Sequence, residues 1–251
     1  ALRKAIDHEE FILHYQPQIE TKTGRIHGAE ALIRWESPTR GLIPPNVFIP
    51  LAEETGLIIP IGEWVIEEVA RTIRSMKKQG LEFPISINLS IRQFYQRNLV
   101  ERIEMILTRY EVDPALITIE ITESMAMDAS KALVILQELK TLGVKLAIDD
   151  FGTGYSSLNY LKQFPIDYLK IDQSFIFDIL DDRDDRDITD SIILLGHRLN
   201  MSLIAEGVET KAHVELLRGM HCDILQGYYY SKPIPKETLI GFLTSFNQTE
   251  R

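Results

Sequence analysis

Seven short apolar segments of this chain each hold a carboxylate, an amide or an ammonium among aliphatic neighbours. Glu30 lies in Gly28-Ala29-Glu30-Ala31-Leu32, Asn88 in Ser86-Ile87-Asn88-Leu89-Ser90, and Glu120 between Ile119 and Ile121. Asp149-Asp150 follows Leu146-Ala147-Ile148, and Lys170 sits in Leu169-Lys170-Ile171-Asp172. Glu206 and Glu209 lie in Ala205-Glu206-Gly207-Val208-Glu209, and Gln226 in Leu225-Gln226-Gly227. Burying a charge among aliphatics is costly unless it is paired. A single such residue needs no more than an internal ion pair. Seven segments that all carry one point to a shared site.

The charge balance of this set narrows its chemistry. Glu30, Glu120, Asp149, Asp150, Glu206 and Glu209 carry six negative charges and Lys170 one positive, which leaves −5. Carboxylates crowded to that degree raise each other's pKa or push the fold apart. Two divalent cations would bring the balance to −1. The donors are oxygen-rich, with Asn88 as a neutral one, and no Cys/His set is present, so Mg²⁺ or Mn²⁺ fits better than Zn²⁺. Adjacent Asp149 and Asp150 suit a two-metal site, one carboxylate bridging both ions and its neighbour serving the second. Two ions about 3.5–4 Å apart are a standard device for hydrolysing phosphate esters.

The elements that must position these residues alternate between strand and helix. Phe11–Glu20 and Arg25–Trp35 read as strands, separated only by Thr21-Lys22-Thr23-Gly24. That connection is long enough for a hairpin and too short for a parallel crossover, so the first two strands run antiparallel. Further strands are expected over Ile85–Leu89, Ile117–Ile121, Val144–Ile148, Tyr168–Ile171, Leu203–Val208 and Ile224–Tyr228. Apolar stripes at helical spacing run through Ile61, Val65, Val69, Ile73 and Met76, through Leu99, Ile103, Ile106 and Tyr110, and through Ile188, Ile192, Leu195 and Leu199. Lys131–Thr141 and Lys236–Phe246 complete the helices. The pattern predicts an α/β fold, a (β/α)₈-like TIM barrel with one antiparallel strand, in which strand C-termini converge on one mouth. An open doubly wound sheet is the alternative.

Composition agrees with an ordinary globular domain: 251 residues, 45% apolar, 25% charged and 8% aromatic. The net charge of −10 argues against broad contact with a nucleic acid polymer or an anionic membrane. No apolar run approaches the ~20 residues of a spanning helix. One cysteine, Cys222, cannot form an internal disulfide, which suggests a reducing, cytoplasmic setting. His221-Cys222 reads as core packing and not as a soft metal site. The acidic run within Asp178–Asp190 reads as a solvated loop and a helix N-terminus. Gly152-Thr153-Gly154 lacks the third glycine and the helix of a dinucleotide fingerprint. Residues 1–251 are expected to form one domain of a longer signalling protein, whose remainder could hold a membrane anchor.

Taken in order, the segments resemble the EAL-domain cyclic di-GMP phosphodiesterases. The resemblance is carried by Tyr15-Gln16-Pro17, Glu30-Ala31-Leu32 with Ile33-Arg34-Trp35, Phe48-Ile49-Pro50-Leu51-Ala52-Glu53 and Ser86-Ile87-Asn88-Leu89-Ser90. It continues through Glu120-Ile121-Thr122-Glu123, Asp149–Leu158, Leu169–Asp172, Ala205–Glu209, Gln226-Gly227-Tyr228 and Ser231-Lys232-Pro233. It covers Phe11 to Pro235. What it implies is hydrolysis of one phosphodiester of cyclic di-GMP to linear pGpG. Positions matching Glu30, Asn88, Glu120 and Asp149 then hold one ion, and Asp149, Asp150 and Glu206 surround the second. Lys170 touches the attacking water, and Glu206 is the general-base candidate.

The resemblance further implies substrate contacts at Gln16, Leu32, Arg34, Asp172, Glu209 and Gln226. Leu32 would act as a steric wall, and Arg34 as a phosphate clamp through its guanidinium fork. Gln226 would lie behind the metal ligands or hold a water on an ion. Glu123 would anchor the Asp150–Leu158 loop; read by itself it is a helix N-terminal charge. A homodimer paired through helices beside that loop is expected. A receptor of the same fold that binds cyclic di-GMP without cutting it is the competing reading. It would normally lack a metal ligand, and none is missing here. A glycosidase-like barrel would leave Asn88, Lys170 and the Asp149-Asp150 pair without a role.

Overall fold

The linker Thr21–Gly24 turns the chain back on itself, with Gly24 at φ 70, a left-handed conformation that glycine adopts without steric cost. In the computed structural model, which describes residues 2–127, 129–153 and 158–246, β1 (Phe11–Glu20) and β2 (Ile26–Ser37) therefore pair antiparallel, from Phe11 opposite Trp35 to Ile19 opposite Ile26. β2 then folds back onto β3 (Gly41–Ile43). The remaining strands are β4 (Ile85–Asn88), β5 (Ile117–Thr122), β6 (Lys145–Phe151), β7 (Tyr168–Ile171), β8 (Ser202–Ala205), β9 (Ile224–Gln226) and β10 (Ile234–Pro235).

β2 and β4 through β9 run parallel in chain order. β1 closes the ring because it pairs antiparallel with β9 as well as with β2. The result is an eight-stranded barrel with one reversed strand, as the short first linker requires. The open doubly wound sheet is excluded, since neither β2 nor β9 is left as an edge.

The helices are α1 (Leu2–Asp7), α2 (Pro45–Thr55), α3 (Ile58–Lys77), α4 (Ile91–Phe94), α5 (Leu99–Tyr110), α6 (Ala129–Leu142), α7 (Leu158–Leu161), α8 (Gln173–Phe177), α9 (Arg183–Arg198), α10 (Lys211–Gly219) and α11 (Lys236–Phe246). The stripe of α3 buries Ile61, Val69, Ile73 and Met76 against the barrel, and that of α5 buries Leu99, Ile103 and Ile106. On α9, Ile192 and Ile193 are buried while Ile188 is exposed, so the covered face is rotated from the expected one. Asp182 caps α9 by accepting from the Asp184 and Asp185 backbone N–H groups, which gives the acidic run its place. A second, smaller core joins Phe11, Trp35 and Phe48 where α1 and α2 cover the upper end of β1 and β2.

Several elements depart from the sequence expectation; β9, for one, stops at Gln226 and not at Tyr228. α2 was hidden by Pro45 and Pro50; Pro45 is harmless in the first turn, and packing of Phe48 and Ala52 carries the rest. β8 stops at Ala205 and not at Val208, because Gly207 turns left-handed at φ 70. β6 runs past Ile148 to Phe151 through a register shift. Residues 154–157 of the Asp150–Leu158 loop lie outside the described residues. No helix among the described residues is long and apolar enough to cross a membrane.

Cys222 is buried, and desolvation pushes its thiol up to about 12. A thiol is reactive only as its thiolate. The native protein at pH 8 is therefore expected to leave a chromogenic disulfide reagent unreacted for hours, and to consume one equivalent at once in urea. Immediate reaction without urea would mean that this face of the barrel opens.

Candidate active site at the strand C-termini

Strand alternation sorts β2 into two faces. Glu30, Leu32 and Arg34 look toward the mouth, while Ala29 and Ala31 are buried in the main core. The antiparallel register sets Gln16 of β1 opposite Glu30. In the parallel part, Asn88 stands beside Glu120, and Thr122 beside Asp149. Strand ends separated widely in sequence thus deliver their polar residues to one level.

Lys170 is the centre of that level. Its Nζ donates to Glu120 Oε2 at 2.6 Å and lies 2.8 Å from Glu206 Oε1, 3.1 Å from Asp149 Oδ1 and 3.5 Å from Glu30 Oε2. Lys170 and Glu120 are both fully buried. Burial by itself would lower the Lys170 ammonium, but the surrounding carboxylates raise it well above the ordinary lysine value. Desolvation raises Glu120 well above the usual carboxylate range despite the opposing pull of Lys170. Desolvation, reinforced by the Asp149 and Glu30 charges and opposed by Lys170, pushes Glu206 up to about 8. Four carboxylates share one ammonium, so the cluster remains short of positive charge.

Glu30 is held on both oxygens. Asn88 Nδ2 donates to Oε1 at 2.7 Å and Gln226 Nε2 to Oε2 at 2.6 Å. At the β6 end, Asp149 Oδ1 accepts from the Asp150 N–H at 3.0 Å. Asp150 has φ 55, unusual for a non-glycine residue, and follows the register shift that breaks the alternation. The adjacent carboxyls consequently differ: Asp149 meets Lys170, and Asp150 is exposed. Desolvation and the neighbouring Asp149 and Asp172 charges raise Asp150. Glu123 Oε2 accepts from the Gly152 N–H at 3.4 Å, tying the loop after β6 to the end of β5.

Above this cluster opens a cleft of about 340 Å³. Of the sequence-derived contacts it brings together Gln16, Glu30, Leu32, Arg34, Asp149, Glu206, Glu209 and Gln226. Leu32 also faces a second, more apolar cavity under α2 and so forms the wall between the two. Asn88, Glu120 and Lys170 do not line the cleft and lie beneath or beside it. Asp172 is not part of the lining either: its carboxylate caps α8 by accepting from the Ser174 N–H at 3.0 Å. Gln173, Gly207, Gly227, Tyr228 and Pro233 line the cleft as well, although the sequence assigned none of them a contact. Tyr228 had a signal, an aromatic just past a strand end; it is 56% exposed, with the Lys232 ammonium 5.3 Å from its ring centroid. Gln173 had none, because its position depends on the turn after β7.

The residues fit a cation. Among the described residues, no three acidic or imidazole groups converge on an open point, because the Lys170 ammonium occupies the place they share. Yet Glu120 Oε1 is buried with no hydrogen-bond partner. An orphaned carboxylate oxygen beside an anionic excess is what a hard divalent ion would satisfy.

A closed (β/α) barrel with an acidic, lysine-centred mouth under an open cleft puts the candidate site where barrels of this class carry theirs, at the C-terminal ends of the strands. The chain belongs to the EAL domain family, which it matches over residues 1–233. It is 47% identical to the signaling protein YkoW of Bacillus subtilis over 96% of this chain and 30% of that protein. It is 46% identical to the bifunctional diguanylate cyclase/cyclic di-GMP phosphodiesterase MucR of Pseudomonas aeruginosa over 96% of this chain and 35% of that one. The chain spans about a third of the length of these curated relatives. Among solved structures it resembles the MucR phosphodiesterase in complex with c-di-GMP, with a TM-score of 0.92 and 47% identity over 95% of this chain and 97% of that one. It also resembles the FimX EAL domain of Pseudomonas aeruginosa bound to c-di-GMP, with a TM-score of 0.85 and 27% identity over 93% and 94% of the two chains.

Proposed function

We propose that this chain hydrolyses one phosphodiester of cyclic di-GMP to linear pGpG, with two divalent cations, Mg²⁺ or Mn²⁺, held at the barrel mouth. The observation that carries this reading is the buried Lys170 ammonium shared by Glu30, Glu120, Asp149 and Glu206 directly under an open cleft. Glu30, Asn88, Glu120 and Asp149 would hold one ion, and Asp149, Asp150 and Glu206 the other. When bound, such ions lower the pKa of a water and neutralise charge on phosphate oxygens.

The chain's own residues do the remaining work. Lys170 orients the attacking water and offsets charge that develops in the transition state. Glu206, whose Oε1 lies 2.8 Å from Lys170 Nζ, would take the proton of that water with the ions bound. Arg34 lines the cleft with one Nη on the Ile33 carbonyl, and its other donors are left for phosphate oxygens. Leu32 bounds the site sterically, while Glu209 and Tyr228 line its outer rim. The single buried thiol supports a cytoplasmic reaction, in keeping with a nucleotide substrate. Pairing of two chains beside the loop after β6 belongs to the same reading. Light scattering tests it: the mass of one chain at all concentrations would remove the dimer.

Purified protein supplied with Mg²⁺ or Mn²⁺ should convert cyclic di-GMP to pGpG, resolved by liquid chromatography. A chelator should lower the rate at least about 100-fold, and added Mn²⁺ should restore it. Tight binding of cyclic di-GMP with no product in either metal would replace this reading by that of a receptor.

A further inference from the structure

Beneath the cluster, the barrel interior contains a buried amide relay that the reaction described above does not use. Gln18 lies two residues from Gln16 on β1, hence on the same inward face, and is 3% exposed. Its register partners are Gly28 on β2 and Gln226 on β9. Gly28 is required by the backbone beside it: a methyl group there would meet the Pro84 carbonyl oxygen at 2.7 Å, while Gln18 Oε1 would lie at an ordinary 3.5 Å. Gln18 Nε2 donates to Gln226 Oε1 at 2.9 Å.

That bond and the acceptor-only Glu30 carboxylate together fix which way round the Gln226 amide sits. A primary amide has one accepting end and one donating end. With its oxygen taken by Gln18, Gln226 turns Nε2 to Glu30 Oε2 at 2.6 Å and to Gln16 Oε1 at 3.2 Å. The reversed amide would set a carbonyl oxygen against the Glu30 carboxylate, in an interior where unpaired polar atoms are expensive. Asn88 already holds the other oxygen of Glu30. The direction in which Glu30 presents its carboxylate is thus set from below by a chain running Gln18, Gln226, Glu30.

We propose that Gln18 is a positioning residue for Glu30, acting through Gln226 and touching neither substrate nor ion. This rests on the hydrolytic, metal-assisted reading of the site. Residues behind a metal ligand typically alter affinity or activity 10–100-fold.

A double-variant cycle tests it, read in kcat, in KM and in Mn²⁺ affinity by calorimetry without substrate. Gln18→Met keeps the length and removes the donor. It should lower kcat and weaken Mn²⁺ binding by about 10-fold each, with KM changed less than about two-fold. In a Gln226→Met background, where the relay is already broken, it should add less than about two-fold. Gln18→Glu is nearly isosteric but only accepts, so it should reverse the Gln226 amide and be at least as harmful. Losses that multiply in the double variant, or a Gln18→Met protein that loses melting temperature alone, overturn the proposal. If Gln18→Met does not fold, Gln18→Glu in the two backgrounds carries the same cycle. A wild-type chain that binds Mn²⁺ but shows no turnover defeats the hydrolytic reading, and the Mn²⁺ titration still decides on Gln18. With neither uptake nor turnover, the positioning role is overturned together with the site it serves.

Discussion

Glu30→Ala should lower turnover of cyclic di-GMP by roughly 10³-fold or more, the scale of losing a preorganised charge-stabilising group, while the fold survives. Glu30 is 5% exposed and accepts from two amides and faces the shared ammonium, so no neighbour can replace its carboxylate. Stability should change little, because two effects oppose each other. The Asn88 and Gln226 amides lose an acceptor, which costs about 1–3 kcal/mol for each buried group left unsatisfied. Against this, a cluster of four carboxylates around one ammonium loses one negative charge, which relieves repulsion. Alanine also suits the backbone between Ala29 and Ala31. Circular dichroism and a melting curve check the fold, and chromatography of pGpG checks the rate. Activity within tenfold of the wild type would remove Glu30 from the set that holds the ion.

Lys170→Met should be the most damaging substitution in metal-free protein. It removes the one cation that, among the described residues, lies within ion-pair distance of Glu30, Glu120, Asp149 and Glu206, with Glu120 fully buried. Breaking a buried ion pair by removing one partner costs about 3–5 kcal/mol. For a domain of this size, 1 kcal/mol corresponds to roughly 2–4 °C, so the melting temperature should fall by about 10 °C or somewhat more. Mg²⁺ should recover more of that loss in the variant than it adds to the wild type, because it supplies the missing positive charge. Turnover should stay low even then, and kcat should fall further than KM rises. A rise in KM alone would make Lys170 a uniform binding group. Equal melting temperatures without metal would mean that the carboxylates do not depend on its charge.

The barrel mouth was legible because the signals behind it are local. An acidic residue between isoleucines, as at Glu120, is conspicuous in any strand, and Asp149-Asp150 ends an apolar run in plain sight. Gln18 carried no comparable signal. It reads as one more polar residue in an alternating strand, and its meaning arises from Gln226, 208 positions away. Asp172 shows the opposite case. Its type and its place at a strand end suited a substrate contact, and no local pattern announced that its Oδ1 also caps α8 after the turn that follows β7.

By itself the sequence determined the alternation of strand and helix, the antiparallel start of the barrel and the anionic excess of one group of strand ends. Each of these follows from spacing or charge within a few residues, or from a linker too short for any crossover. Only the tertiary structure decided that one buried ammonium takes the point the carboxylates share, that Glu120 keeps an unpartnered oxygen, and that Asp149 and Asp150 part company at a bulge. Those features depend on how strands far apart in sequence are brought into register around the closed ring. No local pattern encodes a distance across a barrel.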